Sequence, residues 1–346
     1  MSREEVAGKN GRLPEPGELK IHTLTQEGVP PPAEPFELHL PVVFSQQATA
    51  FSGQSLSTRF EALLVKQIDA FAPALASLEG QSTCVFGPTS FQSYLEANRL
   101  EKMRTAESIS IDSFERLPNS LKMHEAMVFR LGEAPGDVGT QFAIAKVKGR
   151  LRDFFLCDHE VFKTATFSVF EPAVSTESLR VFQILPDITE STQINLGLLS
   201  GLFSHALGLR SGPIQAAVTS GKSTCRFDLR LHSTLGIVTH ERGQIEIDAM
   251  FIEERNGQTT LFLIEAKTKY RSLAKHKLVY PMLAVAPYVP KEIAIVPIYI
   301  RMLSASDGLH YQILECDFPD PRLGVRAIDD LKPKSGSHFV FRFISH

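Results

Sequence analysis

No stretch of this chain approaches the roughly 18 consecutive apolar residues that a helix needs to cross a bilayer. The opening MSREEVAGKNGRLPEP lacks the apolar core of a secretory signal. Neither a membrane role nor export is expected. The cysteines Cys84, Cys157, Cys225 and Cys316 are widely separated and form neither a CxxC pair nor a zinc-ligand spacing, which suits a reducing, cytoplasmic compartment. There is no internal repeat, no P-loop pattern and no GxGxxG fingerprint, and the 11 histidines form no HxxxH pair. Cys157-Asp158-His159 is too compact for a catalytic triad, so a surface or core placement is expected there. The formal net charge of −3 excludes an indiscriminate polycation; nucleic acid would have to be met by local basic patches.

What is present is a chain of 346 residues, 43% hydrophobic, long enough for two ordinary domains. Residues 1–36 are rich in Pro, Gly and charge and predict a disordered leader. FELHLPVVF, from Phe36, predicts a strand; helical spacing of Phe60, Leu63, Leu64, Ile68 and Phe71 predicts a helix over 57–78. More helix is expected between Ser90 and Arg104, and strands in FKTATFSVF and LRVFQIL. Over the second half of Gln141–Arg152, Lys146, Lys148, Arg150 and Arg152 alternate with Ala145, Val147, Gly149 and Leu151. On a strand those four cations share one face, as a phosphate-contacting stripe or as a solvated outer surface. A boundary is expected near 185–190, before a helix over about 192–207. That divides the chain into an α+β domain over 37–185, for recognition or dimerisation, and a second domain over 186–346.

The informative segment begins at Gly243: GQIEIDAMFIEERNGQTTLFLIEAKTKYRSLAKHKLVYPMLAV. Asn256-Gly257 lies between two apolar runs, the strongest short-range signal for a hairpin with a type I′ turn. A two-residue loop sets Arg255 opposite Gln258, and therefore Asp248 opposite Glu265 and Glu246 opposite Lys267, all on one side of the sheet. Ile245, Ile247, Ala249, Phe251, Phe262, Ile264 and Ala266 take the other side as a core face. Opposed side chains sit roughly 5 Å apart at Cβ, and like charges placed so repel. Met250 and Leu263 adjoin the carboxylates and reduce screening by water. A hard divalent cation would compensate, because Mg²⁺ takes oxygen ligands from one or two carboxylates plus a substrate phosphate. The bland alternative is a hairpin laced with cross-strand salt bridges such as Glu246–Lys267; its acids outnumber its bases.

Asp248, sixteen residues, then Glu265-Ala266-Lys267 resembles the PD-(D/E)xK nuclease superfamily, and within it type II restriction-endonuclease-like proteins. Relatives often follow this with a helix in a pattern like QLYYP; here it reads Lys277-Leu278-Val279-Tyr280-Pro281, with Lys277 where glutamine is common. Ile247 stands where the pattern has proline. For the acid usually drawn from the preceding helix, Glu190 is a candidate.

The resemblance covers about residues 185–305. It implies a restriction-endonuclease-like mixed sheet flanked by helices, an α/β fold (α+β over the chain as a whole). Asp248, Glu265 and the Ala266 carbonyl would hold Mg²⁺, with Mn²⁺ able to substitute. Lys267 would orient or help deprotonate water, Glu246 would bind a second metal or tune the lysine, and Lys277 would reach the same cluster. Lys269, Arg271 and Lys275 would meet DNA. The expected activity is hydrolysis of double-stranded DNA by a homodimeric restriction endonuclease. A repair or recombination nuclease and a non-catalytic DNA-binding protein are the alternatives; the intact Asp248/Glu265/Lys267 set argues against the last.

Overall fold

The computed structural model describes residues 69–342, apart from 138, 185–187 and 211. The leader, the strand expected from Phe36 and most of the helix expected over 57–78 fall outside those residues. Helix Ala72–Ser77 is the described part of that last element. The chain is mixed α/β, with 15 strands in three sheets among the described residues.

The strands, in chain order, are β1 (Thr83–Ser90), β2 (Ala126–Glu133), β3 (Thr140–Val147), β4 (Phe155–Cys157) and β5 (Thr166–Phe170). Next come β6 (Ala217–Val218), β7 (Gly221–Arg230), β8 (Ile237–Ile247), β9 (Ala249–Arg255) and β10 (Gln258–Lys267). The last five are β11 (Ser272–Ala274), β12 (Ala294–Ala305), β13 (Gly308–Asp317), β14 (Arg326–Ala327) and β15 (Lys332–Phe341). The first sheet runs β1-β3-β2-β8-β7-β14 and the second β5-β15-β13-β12-β10-β9-β6; β4 and β11 form a small ribbon. Strands from both sides of residue 185 share each sheet, so the boundary expected there falls inside one unit spanning 61–346.

The hairpin forms as its turn chemistry requires. Asn256 and Gly257 both have positive φ, 55° and 79°, as a type I′ turn demands. The register expected from it holds from Arg255↔Gln258 to Ala249↔Ile264. One residue further on the expectation changes. The chain bends at Asp248, and Ile247 and Glu246 belong to β8, which pairs with β7 in the first sheet. Asp248 is thus the joint through which the chain passes from one sheet to the other.

Both faces of β10 are covered. Phe262, Ile264 and Ala266 pack with Ala249, Phe251, Ile298 and Ile300 under helices α1 (Glu190–Leu199) and α2 (Leu202–Ala206). Leu261 and Leu263 pack on the other side with Leu278, Val279 and Met282 of α3 (His276–Val285). β12 lies parallel to β10 and sets Lys267 beside Arg301. The single helix expected over 192–207 is two, because Gly201 adopts a left-handed φ of 82°, where a side chain would be strained.

Two further expectations are corrected. In LRVFQIL, Val181–Ile184 is helical and buries Phe182, a period too short for the sequence to separate from a strand. The basic stripe does not exist as a strand face: β3 ends at Val147, Gly149 turns with φ 75°, and Leu151–Phe154 is a 3₁₀ turn.

Candidate active site

Asp248, Glu265 and Lys267 converge at the C-terminal end of β10. Asp248 Oδ2 accepts a 2.8 Å hydrogen bond from the Ala266 amide. Lys267 Nζ lies 2.7 Å from Glu265 Oε1 and 3.9 Å from Asp248 Oδ2. Lys277, in the first turn of α3, brings its Nζ to 3.8 Å from Glu265 Oε1. Glu265 is 2% exposed, so its charge is compensated by these lysines rather than by water.

The electrostatics follow from burial. Desolvation raises the carboxyls of Glu265, Asp248 and Glu190 above the ordinary range, with the lysines opposing it. Burial alone would lower Lys267, but Glu265, Asp248 and Glu190 outweigh it and hold the ammonium well above the usual lysine range. Among these acids Lys267 is held as a cation, able to orient water and to stabilise developing negative charge.

Glu190, the first residue of α1, belongs to the same electrostatic cluster as Lys267, Glu265 and Lys277. It begins the helix from which the resemblance draws a further acid. Thr189 caps that helix, its hydroxyl accepting from the Thr192 amide, and so fixes where Glu190 begins.

Glu246 is elsewhere than expected. With β8 in the first sheet it pairs with Lys222, 3.0 Å away, instead of facing Lys267. The bend at Asp248 is the cause. The Lys222 contact holds its carboxyl below the usual range.

The donor set suits a hard divalent cation. Two carboxylates, Asp248 and Glu265, lie within 3.9 Å of a lysine nitrogen, and Glu190 is coupled to the same lysines by charge. Glu265 Oε1 is sealed from solvent, and no donor is aligned on it as a hydrogen bond despite the short approach of Lys267. Among the described residues no three His, Cys, Asp or Glu side chains are grouped so that they could together hold a metal ion. Two carboxylates and a backbone carbonyl, completed by water and phosphate, is the pattern Mg²⁺ accepts.

The other cations separate into two groups. Lys269 and Arg271 are exposed just beyond Lys267 and line an open basic cleft with Lys163 and the buried Arg301. Lys275 is 5% exposed, and burial lowers its pKa; it cannot contact a duplex. Of the expected stripe, Lys146 donates to the Leu78 carbonyl, Arg150 pairs with Asp153 at 2.6 Å and Arg152 with Glu160 at 2.8 Å. Lys148 is exposed.

Sequence reasoning missed Arg301, whose Nε lies 3.3 Å from Asp158 while its Nη1 has no partner. Its signal was a single arginine inside an apolar strand, IYIRML. Asp158, set aside as part of a compact Cys-Asp-His run, also accepts from the Tyr299 hydroxyl at 2.9 Å.

The fold and this cluster define a mixed α/β protein with a buried acid–lysine centre where two sheets meet. The chain matches the model of a family described as a domain of unknown function (DUF6997) over residues 159–334, just over half its length, and it belongs to that family. The matched span holds every residue of the centre from Glu190 to Lys277. No curated protein and no solved structure compared with the chain matches it. No helix of the described residues is long and apolar enough to cross a membrane.

Proposed function

We propose that this protein is a Mg²⁺-dependent endonuclease that hydrolyses phosphodiester bonds of double-stranded DNA, in the manner of a type II restriction enzyme. The observation that carries the reading is the convergence of Asp248, Glu265, Lys267 and Lys277 at the end of β10. Asp248, Glu265 and the Ala266 carbonyl would hold the Mg²⁺ ion. When bound, a divalent ion neutralises charge on the scissile phosphate and lowers the pKa of a water.

The chain's own residues do the rest. The Ala266 amide fixes the Asp248 carboxylate in place. Lys267, kept protonated by its acids, presents positive charge to a non-bridging phosphate oxygen, where negative charge grows in the transition state. Lys277 adds a second cation from α3. Lys269 and Arg271, exposed in the open cleft beyond Lys267, would meet the flanking backbone phosphates of a bound strand. Cutting both strands calls for two such centres, which a homodimer supplies.

The test is incubation of plasmid and phage DNA with the full chain and Mg²⁺, comparing wild type, Asp248→Asn and Lys267→Ala. Discrete fragments from wild type alone support the reading. Equal cutting by all three would sink the residue assignment. DNA binding without cutting by any of the three would favour the non-catalytic binding protein.

A further inference from the structure

Beside the acid–lysine cluster lies a cavity of about 300 Å³, bordered by Lys277 of the cluster and by the neighbouring Glu246. One wall is β8 at His240 and Ile245, another is α3 at His276 and Tyr280, and the third comes from Ser110 and Arg130, outside the family-matched span. The size is at the lower end for ligand sites.

Its lining is unusual for a merely structural gap. The guanidinium of Arg130 is half-buried and makes no hydrogen bond or ion pair with the described residues. A neighbouring cation, Arg116, is by contrast satisfied by both oxygens of Asp112 at 3.3 and 3.4 Å. Ser110 Oγ and His276 Nδ1 are sealed from solvent without partners. A dry, unpartnered nitrogen is tolerated better as a bare acceptor than as an orphaned N–H, so the His276 proton belongs on Nε2. His240 donates from Nδ1 to the Cys225 carbonyl and stacks on Phe227 with centroids 4.7 Å apart. Burial keeps both imidazoles uncharged, lowering His240 to about 4 and His276 to about 3. The cavity therefore offers flat, neutral rings and one unsatisfied planar fork of donors, and shares Lys277 with the acid–lysine cluster.

We propose that this cavity receives a nucleobase rotated out of the stack of the bound DNA, with the Arg130 guanidinium meeting an acceptor edge. Guanine is the base favoured, because O6 and N7 together match a bidentate guanidinium. Extruded bases are generally held by hydrogen bonds to their edge and by contact with aromatic side chains, and the cavity presents both. Lys277, shared by the cavity and the cluster, would face the phosphate of that nucleotide. This proposal rests on the nuclease reading for its source of DNA, but the pocket itself can be tested without any cleavage.

The experiment is calorimetric titration of the full chain with the four deoxynucleoside 5′-monophosphates and with deoxyribose 5-phosphate, which has no base. The expected result is saturable binding of dGMP, at least about tenfold tighter than deoxyribose 5-phosphate, in line with one bidentate contact. Arg130→Met should weaken dGMP by about the same factor, and Ser110→Phe, which fills the space, should abolish it; far-ultraviolet circular dichroism checks that each variant is folded. Binding of deoxyribose 5-phosphate as tight as dGMP, or dGMP binding unchanged in Arg130→Met, overturns the proposal. DNA cleavage without dGMP binding overturns the pocket and spares the nuclease; dGMP binding without cleavage does the reverse.

Discussion

Asp248 and Ala266 are tied across the sheet joint by a 2.8 Å hydrogen bond in which the Ala266 amide donates to the Asp248 carboxylate. An asparagine can accept the same bond, so Asp248→Asn separates charge from architecture. The variant should keep the thermal midpoint of wild type within a degree or two, yet lose cleavage by about 10²–10³-fold, as expected for removing one transition-state-stabilising group. A fall in both would show that Asp248 matters only for folding.

Lys267 and Glu265 form a buried pair, with side chains 15% and 2% exposed. Removing one partner strands a charge, whereas removing both does not. Lys267→Met should therefore destabilise the fold by about 3 kcal/mol, and Lys267→Met with Glu265→Gln should recover most of it. Urea titration measures both; a double variant no better than the single would contradict the pairing.

Glu190 joins the centre from α1. Glu190→Gln leaves the helix cap at Thr189 intact and removes one of three negative charges. Cleavage by this variant should require about tenfold more Mg²⁺ for half-maximal rate, the scale on which supporting groups act at metal sites. An unchanged Mg²⁺ requirement would take Glu190 out of the centre.

Asp158 gives a pH signature. Its carboxyl is raised to about 6, because burial outweighs the Tyr299 hydroxyl and Arg301. The folded value exceeds that of the unfolded chain, so its contribution to stability is fully present below about pH 4. It is lost as pH rises through about 6. The stability difference between wild type and Asp158→Asn should shift against wild type across that window. A difference independent of pH would refute it.

Gly132 sits where β2 meets β8, paired with Glu241, at φ 90°. A Cβ there would lie 2.0 Å from the Glu241 carbonyl oxygen. Gly132→Ala should lose at least about 3 kcal/mol, from backbone strain and overpacking together. Gly149→Ala, at φ 75° but in open space, should lose about 1 kcal/mol.

The hairpin was readable because its determinants are local. Asn256-Gly257 dictates the turn, the turn dictates the register, and the register places Leu263, Ile264 and Ala266 on their faces. Glu246 was misplaced because nothing near it in sequence announces the bend at Asp248; its position is set by pairing with Lys222 of β7, more than twenty positions upstream. The basic alternation after Ala145 misled for the opposite reason. A turn at Gly149 breaks a pattern that on paper continues, and side-chain alternation carries no information about where a strand stops. Arg130 and His276, more than a hundred residues apart, meet only because distant segments pack against one another.

Asp248 is joined on its N-terminal side to β8 and on its C-terminal side to β9, while Glu265 and Lys267 ride together on β10. The Ala266 amide pins the Asp248 carboxylate to β10, so the link between the two sheets passes through the acid–lysine centre itself. A substitution that loosened β8 from β9 would therefore be felt first at that carboxylate.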